Sequence, residues 1–313
     1  MGRWNAKKKQ SPKHAIKRGL ASLFVCLAVL LPVYFTFNQW ANVFGLNIHV
    51  PTPFSHKADK SASRQASDLP DMKIRPIDHT GDVEPFNQPI ISVTFDDGWE
   101  SIYSKAAPLF QKYGIPTTQY VLSGQENSPL YMTYAQIKSL RLAGHEIGCH
   151  SIDHKDLTTL TPDELTRELT ECKQVIEKQV GGQVTEFAAP YGHTNPGVLD
   201  AIKKVFRSER NTNGDITTNL ADYNDINVAD RFDRYDIVAI TIRPETTLSE
   251  LQSAIDYTVK HNGWLVLNYH NIDDGTQFSV SLKALEDQLA MVNRSSARVA
   301  TMGSVMNAIE AKQ

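Results

Sequence analysis

The sequence predicts an α/β domain from Pro89 onward, a parallel sheet covered by helices. Three observations carry this reading. Short apolar runs alternate with longer amphipathic segments, which is the signature of strand–helix–strand units. No internal repeat interrupts that alternation. Chemistry-bearing residues gather where several apolar runs end, which favours a barrel over an open sheet. A glycine-rich phosphate loop is missing after the first run, and this argues against a nucleotide-binding open sheet.

Taken in order, the expected strands are "IISVTF" (90–95), "TTQYVL" (117–122), "EIGCH" (146–150), "TEFAA" (185–189), "IVAITI" (237–242) and "WLVLNY" (264–269), with "RVATM" (298–302) as a further candidate. Helical spacing falls at 102–113, 133–143, 163–180, 197–205, 248–261, 281–292 and 303–310. The segment "TPDELTRELTECKQVIEKQV" shows why. Thr161 suits an N-cap, Pro162 the first turn, and Glu164 completes a capping box. Leu165, Leu169 and Val175/Ile176 form an apolar face, and Gly181-Gly182 ends the helix.

The chain has 313 residues and a net charge of −3, and that near-neutral average hides an asymmetry. No acidic residue precedes Asp59, while Arg3, Lys7, Lys8, Lys9, Lys13, Lys17 and Arg18 are all basic. They flank the uncharged segment "LASLFVCLAVLLPVYFTF", residues 20–37. A bilayer-spanning helix needs roughly 20 apolar residues, and a cleavable signal has a shorter apolar region of about 7–15. Residues 1–19 are therefore expected to be a basic cytoplasmic tail and 20–37 an uncleaved transmembrane signal-anchor, with the remainder outside the membrane. This placement explains the basic run better than a nucleic-acid tail does. Residues 38–88 are polar and proline-dotted and are expected to be a flexible spacer. Of the three cysteines, Cys26 lies in the anchor, and Cys149 and Cys172 could be free or paired.

"SVTFDDGW" (92–99) ends its apolar run on Asp96 and Asp97, adjacent carboxylates that repel one another unless a cation or a shared proton intervenes. Taken alone, Asp-Gly is also a common turn. "GHEIGCHSIDH" (144–154) supplies His150 at a second strand end and His154 four residues later. Two imidazoles and one carboxylate form a usual zinc shell with open positions, as catalytic rather than structural sites require. One aspartate then binds the metal, and the other stays off it as a general base. These residues leave open which aspartate does which. A third strand end, "FAAPYGHTN" (187–195), offers the Tyr191 backbone N–H to an oxyanion. A fourth, "WLVLNYHNIDDG", brings His270, whose side chain can act as an acid toward a departing amine.

With these residues together, the chain resembles the polysaccharide deacetylases of the NodB-homology group (carbohydrate esterase family four). "TFDDG" (94–98) and "HSIDH" (150–154) match that group's first two motifs, while "APYG" (189–192) and "LNYH" (267–270) are similar to its third and fifth. The resemblance runs from about Pro89 to Ile309. It implies a distorted (β/α)7 barrel, with Asp96 as general base, Asp97, His150 and His154 as metal ligands, Tyr191 as oxyanion donor and His270 as general acid. It also implies a divalent metal, zinc first and cobalt or nickel as alternatives.

The implied reaction is removal of N-acetyl groups from a cell-surface polysaccharide, poly-N-acetylglucosamine first and peptidoglycan second. An O-acetyl esterase and a catalytically inactive glycan-binding domain are the competing expectations. Two departures support the latter. Many relatives carry an arginine shortly before the Pro-Tyr pair, where this chain has Phe187, Ala188 and Ala189. No clear fourth motif is present either, and Asp230, Asp233, Arg234 or Asp236 is expected to supply the partner for His270.

Overall fold

The computed structural model describes residues 76–77, 82–126, 128–214, 216 and 225–312. These fall within one unit, Asp71–Gln313. The basic tail and the anchor expected at 20–37 lie outside the described residues, as does most of the expected spacer. Among the described residues, no helix is long and apolar enough to cross a membrane.

Eight strands are described: β1 (Ile90–Phe95), β2 (Thr117–Val121), β3 (Glu146–Cys149), β4 (Glu186–Ala188), β5 (Ser208–Arg210), β6 (Ile240–Thr241), β7 (Trp264–Tyr269) and β8 (Arg298–Val299). All paired neighbours run parallel, in the order β5-β4-β3-β2-β1-β7-β6, and β8 adds to β1. The sheet curls until its two ends meet through isolated bridges, the last residue of β5, Arg210, with Ile237 and Gly214 with the first residue of β6, Ile240. The expected barrel is thus a curled parallel sheet whose two ends touch by bridges and not by a continuous ladder.

A π-helical turn (Ile102–Ala106) runs into α1 (Ala107–Tyr113), followed by α2 (Tyr134–Leu142), α3 (Pro162–Val180), α4 (Pro196–Ile202), α5 (Leu248–His261), α6 (Leu282–Arg294) and α7 (Met302–Glu310). The capping box at the start of α3 forms as the spacing predicts, with Thr161 and Glu164 each satisfying the other's backbone N–H. Leu165, Leu169 and Ile176 face inward, as do Glu168 and Cys172.

β5 was not among the expected strands, and the reason is physical. Its sequence is Ser-Glu-Arg, yet all three residues are buried. A strand whose inward side chains are polar has no apolar run to betray it. β6 is shorter than the expected 237–242 run, because that stretch pairs mainly through isolated bridges. Packing also begins before Pro89. Ile77 is buried and its N–H donates to Ala143 O at 2.9 Å, and the Phe86 ring packs against Phe232 at a tilt of 52°.

Alternation along β1 divides two environments. Ile91, Val93 and Phe95 belong to the large core beneath the helices. Ser92, Thr94 and Asp96 take the other parity, and all three are buried. Ser92 Oγ accepts from Trp264 Nε1 at 2.9 Å, and Thr94 Oγ1 donates to Leu267 O at 3.1 Å. The run "IISVTF", apolar on average, therefore lines a polar interior with alternate residues.

Candidate metal centre and active site

β1 and β7 pair in register from Ile90–Trp264 to Phe95–Tyr269, so Asp96 and His270 leave the sheet side by side. His150 follows β3, whose Cys149 pairs with Val121 on β2 and with Phe187 on β4. Tyr191 follows β4. The expected site residues thus arise from neighbouring strand ends.

Asp97 has φ +70°, His154 +57° and Tyr191 +60°, and Ser151 between the histidines has +71°. Such left-handed backbones are uncommon outside glycine and concentrate at functional sites. Here they turn the chain back over the strand ends. Asp97 Oδ1 lies 3.5 Å from His150 Nε2 and 3.4 Å from His154 Nε2. One donor atom from each of the three falls within 4.8 Å of the others.

The donors are oriented from behind. His150 Nδ1 donates to Ala188 O at 2.8 Å, which leaves Nε2 to face Asp97. Trp99 Nε1 donates to Asp97 Oδ2 at 2.8 Å, leaving Oδ1 for the histidines. Burial holds the His150 imidazole below its usual range, against the pull of Asp96 and Asp97, so the neutral form that a metal needs is favoured. Two imidazole nitrogens and one carboxylate oxygen suit a borderline divalent cation. The residues fit a metal ion.

The loop bearing both histidines is pinned to α3. Glu168, almost fully buried, accepts from Ile152 N at 2.8 Å and from Asp153 N at 3.3 Å, and it pairs with Lys155 at 3.1 Å. One turn further along the helix, Cys172 is disulfide-bonded to Cys149, the residue before His150. The bridge that the sequence left open is therefore formed, and it ties the helix directly behind the histidine loop.

Asp96 is buried and does not share the metal-ligand set. The Arg210 guanidinium donates to its Oδ1, and Asn268 Nδ2 donates to Oδ2 at 3.0 Å. Burial alone would raise the Asp96 carboxyl, but Arg210, helped by His150 and His270, holds it well below the ordinary carboxylate range. Arg210 itself is fully buried, with its guanidinium 4.9 Å from the centroid of the Tyr120 ring.

This corrects the first departure noted in the sequence. The arginine that relatives place before the Pro-Tyr pair is supplied from the adjacent strand, where Arg210 pairs in register with Ala188. Sequence reasoning missed it together with β5, and the only signal was the polar triplet Ser-Glu-Arg followed by Asn211 in an otherwise unassigned stretch.

Tyr191 exposes 57% of its surface, and its ring meets the His154 ring edge-on at 4.5 Å. The turn beneath it is close-packed. A Cβ at Gly192 would fall 2.4 Å from Thr212 Oγ1, and φ there is +68°. His270 is largely buried and is held below the usual imidazole range by that burial, although Asp96 and Asp97 pull the other way.

None of the residues proposed to orient His270 is seen bonded to it. Asp236 accepts from Asn211 Nδ2 at 2.6 Å, Asp233 caps Tyr235 N at 2.8 Å, and Arg234 pairs with Glu310 at 2.9 Å. Asp230 lies on the exposed surface.

Comparison with known proteins agrees with this geometry. Residues 84–205 match the family model for polysaccharide deacetylase, a span that includes Asp96, Asp97, His150, His154 and Tyr191 and stops short of Arg210 and His270. The chain is 30% identical over 126 residues to YxkH of Bacillus subtilis, covering 40% of this chain and 45% of that protein. It is 27% identical over 122 residues to a peptidoglycan-N-acetylglucosamine deacetylase of Bacillus cereus, covering 39% and 55% respectively. The chain thus spans about half the length of these relatives. The solved family 4 acetyl xylan esterase of Clostridium thermocellum, in complex with a cobalt ion, superposes with a TM-score of 0.50 at 19% identity, covering 70% of this chain and 90% of that one. Motif residues and strand-end geometry converge with this match, and residues 84–205 of the chain are similar to the polysaccharide deacetylase family.

Proposed function

We propose that the domain is a metal-dependent hydrolase that removes N-acetyl groups from a cell-surface polysaccharide. The carrying observation is the convergence of Asp97, His150 and His154 beside an Asp96 that has its own buried arginine. A divalent cation held by Asp97, His150 and His154, zinc first and cobalt or nickel as alternatives, supplies Lewis-acid polarisation and a lowered pKa for water.

The chain's own residues do the rest. Asp96, kept ionised by Arg210 and Asn268, takes a proton from the attacking water. The Tyr191 N–H, presented by a left-handed turn, donates to the oxyanion that develops as the carbonyl is attacked. His270 gives its proton to the departing nitrogen as the C–N bond breaks, releasing acetate and an amine.

Poly-N-acetylglucosamine is the first substrate choice, because "FAAPYG" (187–192) resembles the form of the third motif in the poly-N-acetylglucosamine deacetylase branch. Peptidoglycan, named in the Bacillus cereus relative, is the second. An O-acetyl ester on a polysaccharide would engage the same groups. The inactive glycan-binding reading loses one of its two supports, because Arg210 gives the buried Asp96 a guanidinium partner without an arginine before the Pro-Tyr pair.

Placement outside the membrane rests on the basic flank and the apolar segment 20–37, and a disulfide in the domain suits an oxidising compartment. The test is acetate release and product mass from N-acetylglucosamine oligomers and peptidoglycan fragments, with zinc, nickel or cobalt added. Asp96→Asn is expected to keep stoichiometric metal and release no acetate. Full turnover in that variant would remove Asp96 from the reaction.

A further inference from the structure

His270 has a buried ring nitrogen, Nδ1, with no hydrogen-bond partner among the described residues. An acid that must aim its other nitrogen at a leaving group is usually held through such an atom by a carboxylate or carbonyl. Here the imidazole is instead stacked against a ring. Phe278 lies 5.0 Å from it, centroid to centroid, at an interplanar angle of 29°. The Phe278 ring in turn carries the Arg243 guanidinium at 4.8 Å.

Phe278 reaches this position through a built loop. The segment 271–280 leaves β7 directly after His270 and closes on itself. Asp273 N donates to Val280 O at 3.0 Å, and Val280 N donates to Asn271 O at 3.3 Å. Inside the loop, Asp274 Oδ1 accepts from Thr276 N at 2.9 Å, and Asp274 N donates to Ser279 Oγ at 3.0 Å. From outside, Lys105 Nζ donates to Ile272 O at 3.3 Å. Arg243 comes from a different strand end, two residues beyond β6.

We propose that Phe278 is the positioning residue for His270, its ring replacing a carboxylate partner, and that Arg243 steadies the Phe278 ring. An aromatic face fixes the plane of the imidazole while leaving Nε2 free to point at the leaving nitrogen. The proposal rests on the reading of His270 as the acid of a deacetylase, so its test includes a measurement independent of turnover.

The full chain is compared with Phe278→Ala, Phe278→Leu, Phe278→Tyr and Arg243→Ala. One readout is kcat and KM for acetate release from N-acetylglucosamine oligomers across pH. The other is the rate of His270 carbethoxylation by diethylpyrocarbonate, located by mass spectrometry. Phe278→Ala is expected to lower kcat about tenfold or more, within the range of a misplaced general acid, with little change in KM. The same variant should acylate at His270 several times faster. Phe278→Tyr should restore both values, and Phe278→Leu, similar in bulk but without a face, should restore neither. Arg243→Ala should show the same signs at about threefold or less.

If Leu performs as well as Tyr, or if Ala leaves the acylation rate unchanged, the stack does not position His270 and the proposal is overturned. No acetate from the unsubstituted chain, with the acylation difference still present, would instead overturn the deacetylase reading and leave the stack in place.

Discussion

Two ends of the curled sheet each hold two carboxylates and one arginine, and they settle their charges differently. At the C-terminal end, Arg210 bonds Asp96 directly while Asp97 faces two imidazoles, so the arginine serves a single carboxylate. At the N-terminal end, Glu146 and Glu186 sit close together with Arg207. Arg207 bonds Glu186, which also accepts from Ser208 and Thr185, while Glu146 takes only the Thr118 hydroxyl and the Gly303 N–H, each at 2.8 Å. Burial and the repulsion of Glu186 push the Glu146 carboxyl up to about 7, against those hydrogen bonds and Arg207. Asp96, no less buried, moves the other way. A buried carboxylate with an arginine of its own is therefore held ionised, while one that shares an arginine with a second carboxylate is driven toward its protonated form.

The largest expected effect breaks this contrast. Arg210→Met leaves a buried, unpaired Asp96 and should cost about 3–5 kcal/mol of stability together with acetate release. Arg207→Met should cost less, because the Glu146–Glu186 pair can take up a proton in its place. Denaturant unfolding of both variants at neutral pH measures the difference, and equal losses would contradict the assignment.

The second effect concerns anchoring, since only the C-terminal end is stapled. Replacing Cys149 and Cys172 with Ala should cost about 3 kcal/mol, the scale for a loop of this length. It should also weaken metal binding through the His150 loop, while Glu168→Gln, which keeps the bridge, weakens metal binding with a smaller loss of stability.

A third change sharpens the metal side alone. Trp99→Phe removes the hydrogen bond to Asp97 Oδ2, and zinc affinity should fall about 10–100-fold by calorimetric titration. Stability in the absence of metal should change little.

The smallest effect is read from pH. Glu146, at about 7, and Glu209, pushed to about 8 by burial, bind protons in the folded state that the unfolded chain releases near the ordinary carboxylate range. Their contribution is complete below about pH 4.5 and is lost as pH rises through 7 and 8, so the melting temperature should fall by a few degrees between pH 6 and 8.5. Asp96 has the opposite sign, and its contribution is already complete throughout that window. Glu146→Gln with Glu209→Gln should flatten the decline. An unchanged slope would mean that neither group carries the proton.

Local chemistry made much of the fold and site legible. β1, β2, β3, β4 and β7 announce themselves as apolar runs, and the Thr161–Glu164 box marks the start of α3. Asp96, Asp97, His150 and His270 stand out because they end such runs, and His154 because it follows His150 by four residues. Periodicity, capping and strand-end position are all properties of neighbouring residues, and sequence displays them directly.

What only the tertiary structure decided involves residues far apart along the chain. Arg210 reaches Asp96 across 114 positions from a strand with no apolar signature. Cys149 finds Cys172, Glu168 clasps the histidine loop, and Phe278 covers His270 where a carboxylate was sought. In each case burial and mutual distance assign the role, and both arise from how the sheet curls. The sequence by itself determined which groups could do chemistry, while the closed packing of the strands decided which groups hold them in place.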